Sequence, residues 1–220
     1  MPHYDRLKYA AMFGEQLEVR RVLPLIMGQP PGESRAWHLG DACNAAIRGD
    51  HPACLWQVLE AMTTAEVEAY LVERGYTSFG HNALAMACEG KGSLECVEIL
   101  LHAGAAAKQC RLAKDDFGRL AIQRACFPGK PAILRLLLQQ SADVVHAQVY
   151  AFSLAYDDLP LSKSVRSGSV ECVQLLLRYR YSREVLEWLL AALANWWHAE
   201  LGEGVCKRMR DLLQAQLGGV

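Results

Sequence analysis

Apolar residues along this chain fall into short blocks punctuated by glycine, and the blocks recur. Five stretches align on a glycine: LKYAAMFGEQLEVRRVL (7–23), ACNAAIRGDHPACLWQVL (42–59), LAMACEGKGSLECVEILL (84–101), IQRACFPGKPAILRLLL (122–138) and LSKSVRSGSVECVQLLL (161–177). The aligned residues are Gly14, Gly49, Gly92, Gly129 and Gly168, spaced by 35, 43, 37 and 39 residues. Ahead of each lies a pair of short side chains: Ala10-Ala11, Ala45-Ala46, Ala87-Cys88, Ala125-Cys126 and Ser164-Val165. Small residues on one face of a short helix let a neighbouring helix approach closely. Five, eight and nine residues past the glycine come Val19/Val22/Leu23, Val97/Leu100/Leu101, Leu134/Leu137/Leu138 and Val173/Leu176/Leu177. That i, i+3, i+4 spacing is one apolar helix stripe. In the second stretch the stripe slips by one, to Leu55, Val58 and Leu59. Each stretch thus predicts a short helix, a tight turn and a longer apolar helix. One such pair cannot bury its own apolar face, and stacked neighbours supply the missing partner.

The pattern predicts an all-α solenoid over 1–220 as one domain, with units at 3–26, 37–62, 79–105, 116–143 and 157–180. The uneven period has local causes. Residues 63–75 predict an inserted helix: Thr63-x-x-Glu66 is a capping box, Val67, Tyr70 and Leu71 form a stripe, and Gly75 is a stop. A second insert, 144–160, carries Val144, Val145, Val149 and Tyr150, consistent with partial helix. MGQPPGESR (27–35) reads as a loop. Beyond 180, Ser182 precedes a helix with the stripe Leu186, Leu189, Leu190, Leu193 and Trp197, and Val205, Met209, Leu212 and Leu213 mark a last helix. This pair (182–217) is expected to cap the stack, since terminal repeats are atypical.

At these residues the chain resembles the ankyrin repeat family. The third unit, FGHNALAMACEGKGSLECVEILLHAGA (79–105), carries Gly80, Leu84, Gly92, Val97, Leu100, Leu101, Gly104 and Ala105 in the family's register. The fourth, DDFGRLAIQRACFPGKPAILRLLLQQSAD (115–143), carries Gly118, Ile122, Ala125, Gly129, Leu137, Leu138, Ala142 and Asp143. The resemblance extends over roughly residues 3–180. The family's Thr-Pro-Leu-His tetrapeptide is absent: NALA (82–85), LAIQ (120–123) and LPLS (159–162) stand in its place. In the family that Thr and His link adjacent repeats by hydrogen bonds. Their loss implies a divergent stack and leaves open another helical-pair solenoid of TPR or HEAT type.

Composition narrows the function classes. Twenty-three Lys and Arg against 24 Asp and Glu give a net charge of −1, without the basic excess of a nucleic-acid binder. No apolar run reaches the roughly 18–20 residues of a membrane span, and the N-terminus lacks the layout of a secretory signal. The eight cysteines (Cys43, Cys54, Cys88, Cys96, Cys110, Cys126, Cys172, Cys206) contain no C-x-x-C pair. They read as free, buried small hydrophobes in a reducing, cytoplasmic setting. No phosphate-cradling glycine loop, H-E-x-x-H or G-x-S-x-G occurs, so no catalytic residue, metal or cofactor is expected. His38, His51, His81, His102, His146 and His198 lack partners at ligand spacing and read as structural or surface residues. Asp115-Asp116 and Asp157-Asp158 fall where units begin and read as turn residues. The strip Arg178-Tyr179-Arg180-Tyr181-Ser182-Arg183 is compatible with single-stranded nucleic acid, or with an ordinary helix C-terminus. In Trp196-Trp197, Trp197 continues the buried stripe.

The resemblance implies a non-catalytic adaptor or scaffold that holds a partner protein on a concave face. That face would be built from the tips, Phe79, His81, Arg111, Lys114, Asp115, Phe117 and Arg119, and from the first-helix positions Met86, Glu89, Arg124, Phe127, Lys163 and Arg166. Such a mixture of aromatic, Met and Arg side chains is common in protein interfaces. The alternatives are an enzyme with a Cys–His site assembled in space, which requires an activated thiol, and nucleic-acid binding through the Arg178–Arg183 strip.

Overall fold

The computed structural model describes residues 2–30, 32–72, 82–103, 120–139 and 156–219. Every regular element among them is helical. Density of contacts divides the chain into two compact units, Met1–Ala121 and Ile122–Val220.

In the first unit the helices alternate as the sequence pattern predicts. They are α1 (His3–Phe13), α2 (Gln16–Met27), α3 (Glu33–Gly49), α4 (Pro52–Ala61), α5 (Thr64–Val72), α6 (Ala83–Glu89) and α7 (Leu94–His102). The first helices stack on one another, α1 on α3 and α3 on α6; α3, at 17 residues, is longer than its partner α4, at 10, against the short-then-long expectation. The second helices do the same, α2 on α4 and α4 on α7. This two-layer stacking buries the small pairs and the stripes together: Ala10, Ala11, Ala45, Ala46, Ala87 and Cys88 face Val19, Val22, Leu55, Val58, Val97 and Leu100 across one core, all buried. Each fully buried Leu or Val contributes roughly 1.5–3 kcal/mol of transfer free energy.

Local chemistry sets where the helices start. Asn82 and Ser93 accept hydrogen bonds from the N–H groups of Ala85 (2.7 Å) and Cys96 (3.4 Å), satisfying donors a helix leaves open at its N-terminus. Pro52 opens α4, where its missing N–H costs nothing. The capping box before α5 is present in both directions: Thr63 N–H donates to Glu66 Oε2 at 2.8 Å, and Glu66 N–H donates to Thr63 Oγ1 at 3.3 Å. Val67, Tyr70 and Leu71 are buried against α3 and α6, so the inserted helix adds to the core. Gly75 lies outside the described residues. The loop read over 27–35 is shorter than expected, confined between α2 and α3. The helix α2 runs through to Met27, and Glu33, Ser34 and Arg35 form the first turn of α3. Arg35 is the reason the ends come together. Its guanidinium donates to the Gln29 carbonyl at 2.8 Å, just beyond α2, and to Glu66 Oε1 at 2.8 Å.

The second unit holds α8 (Ala121–Cys126, within which the division falls), α9 (Pro131–Leu138), a 3-10 turn (Tyr156–Asp158), α10 (Pro160–Arg166), α11 (Val170–Leu176), α12 (Arg183–Ala192), a π-helical turn (Leu193–Trp197), α13 (His198–Leu201) and α14 (Glu203–Gly218). Here α9 packs on α11, α11 on α14, and α12 on α14. Ser169 and Ser182 cap α11 and α12, and Pro131 and Pro160 open α9 and α10. In the cap, Leu186, Leu189, Leu193, Trp197, Cys206, Met209 and Leu213 are buried, while Leu190, Val205 and Leu212 are half-buried at the margin. The insert residues Val144, Val145, Val149 and Tyr150 lie outside the described residues.

Candidate protein-interaction surface

The turn between the two helices of a unit decides which first-helix residues reach solvent. Gly14, Gly129 and Gly168 adopt positive φ (75°, 69° and 74°), and in the second unit of the sequence Asp50, at φ 58°, takes this role in place of Gly49. Counting from the left-handed residue rather than the glycine removes the one-residue slip. Leu55, Val58 and Leu59 stand five, eight and nine residues after Asp50, as Val19, Val22 and Leu23 do after Gly14. Gly49 is required for a separate reason: a Cβ there would lie 2.3 Å from the Met12 carbonyl oxygen. At Gly14 a Cβ would lie 2.7 Å from His51 Nδ1, so His51 fills the crevice between the two turns. The lone histidine is thereby a packing residue.

The same register brings one position to the surface repeatedly. Two residues before the left-handed residue stand Met12, Arg48, Phe127 and Arg166, and all four are exposed. Phe127 is 49% exposed, a large apolar ring with nothing to gain from water. Phe127 and Arg166 were expected at the surface from the sequence. Met12 and Arg48 were not, because the contact positions expected from the sequence came from the third, fourth and fifth stretches alone.

Other first-helix positions are corrected by the structure. Arg124 is only 3% exposed, and Lys163 is likewise buried. The six residues of α8 are all buried, as are Pro160–Val165 of α10, so these short helices are enclosed along their length and open only at their C-terminal ends. Lys163 Nζ lies 3.0 Å from Asp158 and 3.7 Å from Asp157. Arg166 lies 3.8 Å from Asp157. The acidic pair is therefore a turn, as its position in the sequence implied, and also the counter-charge that allows a lysine to be buried. Met86 and Glu89 are half-buried on α6. Phe79, His81, Arg111, Lys114, Asp115, Phe117 and Arg119 lie outside the described residues.

Adjacent units in the first half are also tied by polar contacts. Asp50 Oδ1 accepts the Ser93 N–H at 2.8 Å, and Lys8 Nζ pairs with Asp41 at 2.8 Å. These are inter-unit links of the kind the missing Thr-Pro-Leu-His tetrapeptide would provide. The ion pair Arg35–Glu66 is buried on both sides. Burial pushes the Glu66 carboxyl up, but hydrogen bonds from Arg35 and from the Thr63 N–H and hydroxyl, together with the Arg35 charge, outweigh it and hold it below the usual carboxylate range.

A nucleophilic role requires a thiol whose pKa is lowered. Burial instead raises Cys43, Cys54, Cys96 and Cys172. Cys43, Cys54, Cys88, Cys96, Cys126, Cys172 and Cys206 are free and buried, and Cys110 lies outside the described residues. Among the described residues no cluster of three or more His, Cys, Asp or Glu side chains is placed to hold a metal. No described helix is long and apolar enough to cross a membrane. In the Arg178–Arg183 strip Tyr181 is buried, so it does not present alternating rings and cations to one side.

Residues 42–148 match the family model for ankyrin repeats in three copies. No curated protein matches the chain. The paired-helix stacking, the Gly-x-x-x-x-Val-x-x-Leu-Leu register of residues 92–101 and this match agree, and over these residues they decide against the TPR and HEAT alternatives. Residues 42–148 of this chain are ankyrin repeats.

Proposed function

We propose that the chain is a protein-binding module, an adaptor or scaffold without a reaction of its own, working in a reducing cytoplasmic setting. Ankyrin repeats are generally protein–protein interaction modules. The observation that carries the reading is the exposed position two residues before the left-handed turn residue: Met12 and Arg48 in the first unit, Phe127 and Arg166 in the second. Arg and large apolar side chains of this kind are enriched among residues that dominate interface energies. In each unit the partner docks on the ends of the first helices, joined by the half-exposed Met86 and Glu89 in the first. The tips Phe79, His81, Arg111, Lys114, Phe117 and Arg119 belong to the same proposed face.

The test is affinity capture with the wild-type chain and with Met12→Ala/Arg48→Ala/Phe127→Ala/Arg166→Ala. A partner held by the wild type should be weakened at least tenfold by the quadruple variant at unchanged thermal stability. Full retention by the variant overturns this face.

A further inference from the structure

The C-terminal cap carries aromatic side chains that its core does not use. The helix α12 passes into a π-helical turn, Leu193–Trp197, before continuing as α13. At about 100° per residue, a regular α-helix would place Trp196 about 80° around the axis from Trp188, toward the side that buries Leu189. The additional residue of a π turn withdraws about one such step, leaving Trp196 within about 20° of Trp188. The indoles accordingly meet, with ring centroids 6.3 Å apart. Tyr156, from the 3-10 turn, approaches Trp188 at 5.8 Å, and Trp197 meets Trp188 edge-on at 5.9 Å. Trp197 is buried and anchors the central ring, while Tyr156 is exposed and Trp196 is 62% exposed. A π turn gives up regular helix hydrogen bonding, and its effect here is to display an indole rather than bury it.

The charges beside these rings are unequal. Glu187 is paired with Arg183 at 2.8 Å, and Asp157 with Lys163 and Arg166. Glu184 forms no ion pair among the described residues and meets the neutral Tyr156 hydroxyl at 3.5 Å. Aromatic faces carry negative potential and attract cations, most strongly when the ring is an indole. A carboxylate beside them adds to that attraction and disfavours an anion.

We propose that Trp188, Trp196, Tyr156 and Glu184 form a second binding surface, on the cap, for an extended arginine-rich segment of a partner protein. One guanidinium lies against Tyr156, whose hydroxyl meets Glu184 at 3.5 Å, and donates to that carboxylate, while another, further along the segment, lies flat on the exposed Trp196 indole, contacts that lysine ammonium groups do not match. This surface shares no residue with the first-helix ends.

The probe is acetyl-hexaarginine amide, titrated calorimetrically into the full chain. The wild type binds it, binds acetyl-hexalysine amide several-fold more weakly, and does not bind acetyl-hexaglutamate amide. Trp196→Ala weakens hexaarginine binding at least tenfold and Glu184→Gln several-fold, with helical circular dichroism unchanged. Trp196→Phe keeps a ring and retains most of the affinity, which guards against a merely unfolded Ala variant. Trp56→Ala, which removes an exposed indole of the first unit, leaves binding unchanged. Equal hexaarginine binding by wild type and Trp196→Ala would overturn the proposal. So would binding of a ten-residue oligothymidylate, or of phosphatidylcholine vesicles, that Trp196→Ala abolishes, since the surface would then be a base-stacking or lipid-facing one.

Discussion

Leu100 and Leu137 hold equivalent stripe positions in two repeats, and both are fully buried. Truncation of either to Ala is expected to cost about 2–5 kcal/mol, measured by urea denaturation. Phe127→Ala should cost under about 0.5 kcal/mol, because the ring stands in solvent. Arg124→Ala should cost more than Phe127→Ala, since the buried side chain loses packing along its stem as well as its polar contacts. Equal costs for the two would contradict the enclosed course of α8. Glu66 supplies the pH-dependent case. Its folded-state pKa is lowered, so its contribution is complete above the ordinary glutamate range, about 4.3, and is lost as pH falls below it. Glu66→Gln strands the buried Arg35 guanidinium and is expected to cost about 3–5 kcal/mol at neutral pH. It should also flatten the loss of stability between pH 5 and the folded-state pKa, as read from denaturation midpoints across pH.

The turn is the element that governs the repeats. In four of the five stretches its left-handed residue fixes where the apolar stripe begins, and glycine is only one way of filling it. Asp50 fills it with a side chain that also reaches Ser93 in the next unit. Asp and Asn tolerate this backbone region better than other non-glycine residues. Asp50→Asn should therefore be nearly neutral, whereas Asp50→Ala adds backbone strain and loses the Ser93 bond, for about 1–3 kcal/mol in thermal or urea unfolding. If Asp50→Ala is as mild as Asp50→Asn, neither the strain nor the link to Ser93 matters. The capping helix obeys the same local logic: Ser182→Ala removes the acceptor for Val185 N–H and should cost about 0.5–2 kcal/mol.

At the scale of the whole molecule, the layered arrangement makes the thiols inert. Seven cysteines are buried and free, and burial raises several of them, so a thiol reagent at neutral pH should modify them slowly in the folded chain. In denaturant without reductant all eight should react at once. Two or more unreactive thiols there would indicate disulfides and overturn the reducing setting proposed for the chain.

The sequence determined by itself what depends on periodicity: paired helices, the five stripes, the capping box at Thr63 and Glu66, and the buried indole of Trp197. These follow from residue spacing on a helix, which neighbours in the chain dictate. Exposure of the first helices was not legible in the same way. A two-turn helix enclosed along its length has no solvent face, so Arg124 and Lys163 go inside despite their charge, and the counter-ions Asp157 and Asp158 come from the turn before α10. Arg48 joins Met12, Phe127 and Arg166 in one register only when the left-handed residue, a backbone property, is known to be Asp50 in its unit and a glycine in theirs. The Arg35–Glu66 pair joins residues 31 positions apart, and the π turn rotates Trp196 off its helical register. Tertiary packing decided these, because it sets which polar groups lose water and which partners must then replace it.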